Sequence, residues 1–147
     1  MPTRLSAKPT VVLDVTVQAY RETEYRVYSS PMVCLRLDVV SKGLAQLHAE
    51  HGVLCSTFIT ACNPYSQLLS DVENLWRQAN LKNELLARGY LVYEGEGVHP
   101  HNCWPREPSF LVPGLGPDDA AEFGVLFDQN AVLCSGADAV PRLILLR

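Results

Sequence analysis

Cys55-Ser-Thr-Phe-Ile-Thr-Ala-Cys-Asn-Pro-Tyr-Ser66 is the stretch on which the fold turns. Its first seven residues are apolar or small on both alternating faces. That pattern predicts a strand covered on both sides, in the middle of a sheet. Asn63-Pro64-Tyr65-Ser66 breaks the strand, because proline fixes its own φ and pushes the preceding residue toward extended geometry. Ser70-Asp-Val-Glu73 then forms a capping box, in which Ser70 accepts from the amide three residues on and Glu73 reaches back. The helix it opens is expected to run to Gly89, with Val72, Leu75, Trp76, Ala79 and Leu86 on its inward face.

Working outward from this unit, Ser41 caps a helix through His48 or Glu50, with Leu44 and Leu47 inward and Gly52 as its stop. Tyr25, Val27 and then Met32 to Leu37 read as a hairpin across Ser29-Ser30-Pro31. Leu13, Val17 and Tyr20 share one face of a short helix. Residues 1–10 read as a flexible tail, and 11–147 as one globular domain. Beyond Gly89, Tyr90 to Tyr93 is expected as a strand, 94–108 as an irregular loop and Ser109 to Val112 as the next strand. Pro117 at a helix start places Ala120, Phe123 and Phe127 inward. Ala131 to Cys134 and Leu143 to Leu146 close the chain as strands. The expected class is α+β, or α/β, with a mixed central sheet of five to seven strands and four helices.

The 147 residues are 48% hydrophobic and 19% charged, which excludes a disordered chain. A net charge of −4 argues against general nucleic-acid binding. Five widely spaced cysteines without a C-x-x-C pair fit a reducing, cytoplasmic setting better than a disulfide scaffold. Residues 1–14 hold no apolar run of signal-peptide length, and no stretch approaches a membrane span.

Chemistry tends to sit where local rules fail. Asn63, Tyr65 and Ser66 follow the central strand, and the free amides after Ser70 favour an anion nearby. Asn74 starts a stripe that turns apolar at Leu81 and Leu85, so it must find partners, either a ligand or the 63–66 loop. Arg77 lies on a stripe with Glu73, Asn80 and Glu84, where a solvated face explains it better than a bound phosphate. Trp104 can stack on a ring, or pack a loop. Glu107, between Pro105 and Pro108, is a rigidly placed carboxylate, either structural or a general base, and is the one catalytic candidate. Gln129 follows the turn residue Asp128 and is itself less readily explained as one.

Two tempting patterns fail. His99-x-His101-x-Cys103 would place all its ligands in one loop and lacks a fourth, so no metal is expected. Cys62 reads as a small buried residue rather than a nucleophile. No cofactor is expected.

The order and spacing of these motifs carry a resemblance. Phe58-Ile-Thr-Ala-Cys-Asn-Pro-Tyr-Ser66, Ser70 to Asn74, Gly95-Glu-Gly97, Trp104-Pro105, Glu107-Pro-Ser-Phe-Leu-Val112 and Phe127-Asp-Gln-Asn-Ala131 resemble a bacterial domain-of-unknown-function family, number three-two-nine-three. The resemblance spans about residues 14–146. The chain departs from the family pattern at Cys62, where a larger residue is expected, and at Asp128, where glycine is expected. The resemblance implies a small cytoplasmic bacterial protein and supplies no activity. Two readings remain: a site for a small anionic or nucleotide-like ligand, or a non-catalytic protein-binding or regulatory module.

Overall fold

Every residue of β3 (Ser56–Ile59) is buried, as its two-sided pattern requires. The structure is a computed structural model describing residues 12–101 and 103–147. The expected tail, residues 1–10, lies outside them. Before β3 come α1 (Asp14–Glu22), β1 (Glu24–Val27), β2 (Val33–Leu35) and α2 (Lys42–His51). After it come a 3-10 turn (Pro64–Ser66), α3 (Asp71–Ala87), β4 (Tyr93–Val98), β5 (Glu107–Pro113), α4 (Pro117–Leu126), β6 (Ala131–Ser135) and β7 (Arg142–Leu145).

The strands form one sheet in the order β2-β1-β4-β5-β3-β6-β7. Every neighbouring pair is antiparallel, so the sheet is not mixed and the class is α+β. The helical connections explain this. β5 lies between the two strands that α3 joins, and β3 lies between the two that α4 joins, so no helix links adjacent parallel strands.

Helices cover both faces. On one side Tyr25, Val27, Phe58, Leu111 and Leu133 meet Leu44 and Leu47 of α2, with Tyr20 of α1 against them. On the other, Ile59, Phe110, Val112 and Val132 meet Leu81 and Leu85 of α3 and Ala120 and Phe123 of α4. The N-caps form as their residues dictate: Ser41 accepts from the Leu44 amide at 3.1 Å, and both halves of the Ser70–Glu73 box are present. No helix among the described residues is long and apolar enough to cross a membrane.

Two expectations are corrected. The strand expected at Tyr90 to Tyr93 begins only at Tyr93 and runs through the supposed loop to Val98. Gly95 and Gly97 are strand positions. A Cβ on Gly95 would sit 2.2 Å from the Arg26 carbonyl oxygen, so β1 and β4 can pair there only around glycine. The second correction is the face of α3. Val72, Leu75 and Trp76 are 78%, 72% and 67% exposed, and Ala79 and Leu86 are exposed with them. The inward side carries Gln78, Leu81 and Leu85, with Asn74 and Arg77 half-buried. This polar side faces inward because the irregular segment after β3 needs hydrogen-bonding partners.

Candidate functional site

Where β3 ends, the backbone enters a conformation that L-residues adopt at a cost. Asn63, Tyr65 and Ser66 have φ of 49°, 55° and 59°, and Asp128 beside them has φ of 60°. Such positions cost about 1–3 kcal/mol each and persist only where their surroundings dictate them. The expectation of glycine at 128 agrees with this left-handed geometry.

The surroundings are a dense polar network. The Asn63 amide donates to Asn74 Oδ1 at 2.8 Å, and Asn74 Nδ2 donates back to Asn63 Oδ1 at 2.8 Å. The Leu69 amide also donates to Asn63 Oδ1. Arg77 Nε donates to the Ala61 carbonyl at 2.7 Å, and its second arm reaches the Phe127 carbonyl. Gln78 Oε1 accepts from the Ala61 amide. Tyr65 binds Asp128 twice, through its amide to the carbonyl and its hydroxyl to Oδ1, and its ring lies under the Arg147 guanidinium at 3.9 Å. Asn74 and Arg77 thus satisfy backbone groups that a strand would otherwise have paired.

In front of this network lies a cavity of about 300 Å³, between α1 and the sheet. Tyr20 and Ala19 of α1 face Tyr25, Phe58, Ser109 and Leu133 of the strands across it. Asn63, Ser66, Trp104, Glu107 and Gln129 also line it. Gly97 lies on the floor, where an added Cβ would meet Thr23 and Tyr25 in ordinary contact at 3.5 Å and more, so that a bulkier side chain is needed to fill the space. α1 is fastened over the cavity from its C-terminal end. Tyr25 Oη donates to the Tyr20 carbonyl at 2.8 Å, Glu22 lies 2.9 Å from His99 Nε2, and Arg21 pairs with Asp38 at 2.9 Å.

Glu107 is the carboxyl of this wall. Its Oε2 accepts from Asn63 Nδ2 at 2.8 Å and from Trp104 Nε1 at 2.9 Å. Burial raises its pKa above the usual carboxylate value, and the two hydrogen bonds offset part of that shift. Burial likewise raises Tyr20, so its hydroxyl stays protonated. The Cys62 thiol is pushed up to about 11 by burial, so it is no thiolate nucleophile at neutral pH. The arrangement offers one proton-accepting carboxyl with no activated nucleophile beside it among the described residues. A separate Ser–His contact, His48 Nε2 to Ser56 Oγ at 2.8 Å, is enclosed beneath α2 and pins that helix to β3.

Of the eight residues expected at a ligand site, Asn63, Ser66, Trp104, Glu107 and Gln129 converge on the cavity, while Tyr65, Asn74 and Arg77 stand behind it and hold the loop. The first turn of α3 is not in the wall. Its cap is closed by Glu73, and Asp71 adds a second acid there, so the expected anion position loses its basis. Among the described residues, no three of His, Cys, Asp and Glu gather as metal ligands. Sequence reasoning missed Tyr20, Thr23, Gly97 and His99. The available signal was the small Thr16 and Ala19 beside Tyr20, which mark a helix face that cannot fill the space beneath it.

Searches of curated proteins and of solved structures return no match. A family model does match, over residues 59–132, a narrower span than 14–146. That stretch runs from the end of β3 to the start of β6 and holds all eight expected site residues. On that match, covering half its length, the chain belongs to the family described as protein of unknown function (DUF3293).

Proposed function

We infer that this chain is a small-molecule-binding domain whose ligand occupies the cavity between α1 and the sheet. The observation that carries the reading is Glu107, a carboxyl held in the wall of a 300 Å³ cavity by Asn63 and Trp104. Sites of this kind are mostly apolar, with a few convergent polar groups and a perturbed titratable residue. The left-handed loop adds support, since such strain concentrates at ligand sites. Trp104, Asn63, Ser66 and Gln129 are the contacting residues, with Tyr65, Asn74 and Arg77 positioning the loop. All five cysteines are free, which supports a reducing setting such as the cytoplasm.

The test is a thermal-shift panel of metabolites on the wild type and on Gly97→Val. A ligand at a hundredfold its Kd stabilises by about 2.7 kcal/mol. A hit lost in a folded Gly97→Val protein supports the cavity, while a hit unchanged there places binding elsewhere. The second reading, a non-catalytic protein-binding or regulatory module, is favoured by the exposed Val72, Leu75 and Trp76 of α3. A chain that stays monomeric at high concentration and binds a cavity ligand decides against it.

A further inference from the structure

We propose that the ligand of this cavity is a small organic cation, a protonated amine or amidine on an apolar body, with the Glu107 carboxylate as its counter-ion. The proposal rests on the cavity reading above and departs from the anionic ligand that the sequence suggested. The charges in the wall decide the sign. Among the described residues no lysine or arginine lines the cavity, and Glu107 is the one acid that does. Arg77, which the sequence offered as a ligand contact, spends its guanidinium on the Ala61 and Phe127 carbonyls behind the loop.

The hydrogen-bond inventory agrees. Both donors that reach Glu107 go to Oε2. Oε1 accepts nothing among the described residues. Gln129 donates through Nε2 to the Cys62 and Phe127 carbonyls, which fixes its amide and leaves Oε1 as a second acceptor. Asn63 Oδ1 already takes two donors, and one of the two N–H groups on its Nδ2 serves Glu107. The wall therefore presents free acceptors, and a ligand rich in N–H donors answers them. Tyr20, Tyr25, Phe58 and Trp104 supply aromatic surface, which suits both an apolar body and a cation.

Binding is expected to strengthen as pH rises through the raised pKa of Glu107, because only the ionised carboxyl pairs with the cation. Tyr20 from α1, Tyr25 from β1 and Cys62 from the loop bear on Glu107, and burial raises the pKa of each. His99 also lines the wall, and the Glu107→Gln variant separates its contribution from that of Glu107.

The experiment titrates the whole chain with benzylamine, benzamidine, benzoate and benzyl alcohol, following NMR resonances of Trp104 and Gln129. The expected result is a cation preference of at least about tenfold over benzoate and benzyl alcohol. Glu107→Gln, which keeps an acceptor for Asn63 and Trp104, should abolish that preference and its pH dependence while benzyl alcohol binding persists. If benzoate or benzyl alcohol binds as well as the cations, the cation assignment falls and the cavity reading stands. If none of the four moves the cavity resonances up to about 10 mM, far weaker than a useful fragment affinity, both fall.

Discussion

The two faces of the sheet are covered by two helices each, yet only one of them is filled. Behind the sheet, α3 and α4 bring Leu81, Leu85, Ala120 and Phe123 onto Ile59, Phe110, Val112 and Val132, and all eight are buried. In front, α2 packs comparably, but α1 has no fully buried residue. It lays Thr16, Ala19 and Tyr20 over a floor that includes Gly97, and the missing side-chain volume is the cavity. The same sheet thus separates a layer optimised for packing from one that trades packing for space.

The largest test of that contrast is on the filled side. Phe123→Ala should cost about 3–5 kcal/mol in denaturant unfolding, because its close-packed neighbours cannot collapse into the hole. A loss under about 1 kcal/mol would mean that the two faces do not differ in packing. On the open side the informative change is in pH dependence. The native state holds the Glu107 proton more tightly than the unfolded chain does. Wild-type stability should therefore fall as pH rises from the ordinary carboxylate value to the raised one, then level off. Glu107→Gln should be flat across that window in urea midpoints taken at several pH values, and a wild-type midpoint that instead climbs there would show the carboxyl to be stabilised by its partners.

A smaller effect separates α3 from the cavity. Ser70→Ala should lower stability by about 1 kcal/mol, within 0.5–2, and leave ligand-induced thermal shifts unchanged. A changed shift would bring the α3 N-terminus back into the site. Least of all, Trp76→Ala should alter stability by no more than about 0.5 kcal/mol, since the side chain lies outside the filled layer. A loss several times larger would show that the apolar side of α3 is covered in solution.

Trp76 also shows where sequence reasoning stopped. Apolar periodicity assigned α3 its inward face on the premise that buried faces are apolar. The premise held for α2, where Leu44 and Leu47 are inward. It failed on α3 because the segment after β3 leaves backbone groups unpaired, and Asn74, Arg77 and Gln78 must turn inward to satisfy them. Asn74 alone betrayed this, as a polar residue in line with Leu81 and Leu85. The convergence of Asn63, Ser66, Glu107 and Gln129 was legible because each broke a local rule. Tyr20 broke none, and only the tertiary arrangement puts its hydroxyl near Ser66, Asn130 and Glu107. The antiparallel sheet was hidden as well, since strand order depends on pairings between distant segments.

That strand order has a consequence during synthesis. β3 pairs only with β5 and β6, and Ile59 meets its first partner at Phe110. At translation speeds of about 5–20 residues per second, this wholly buried strand waits about 2–10 s for any hydrogen-bonding neighbour. Over that interval the nascent chain presents Ser56–Ile59 bare beside a helix able to form early. Slowing elongation between codons 60 and 110 should therefore lengthen its dependence on holding chaperones.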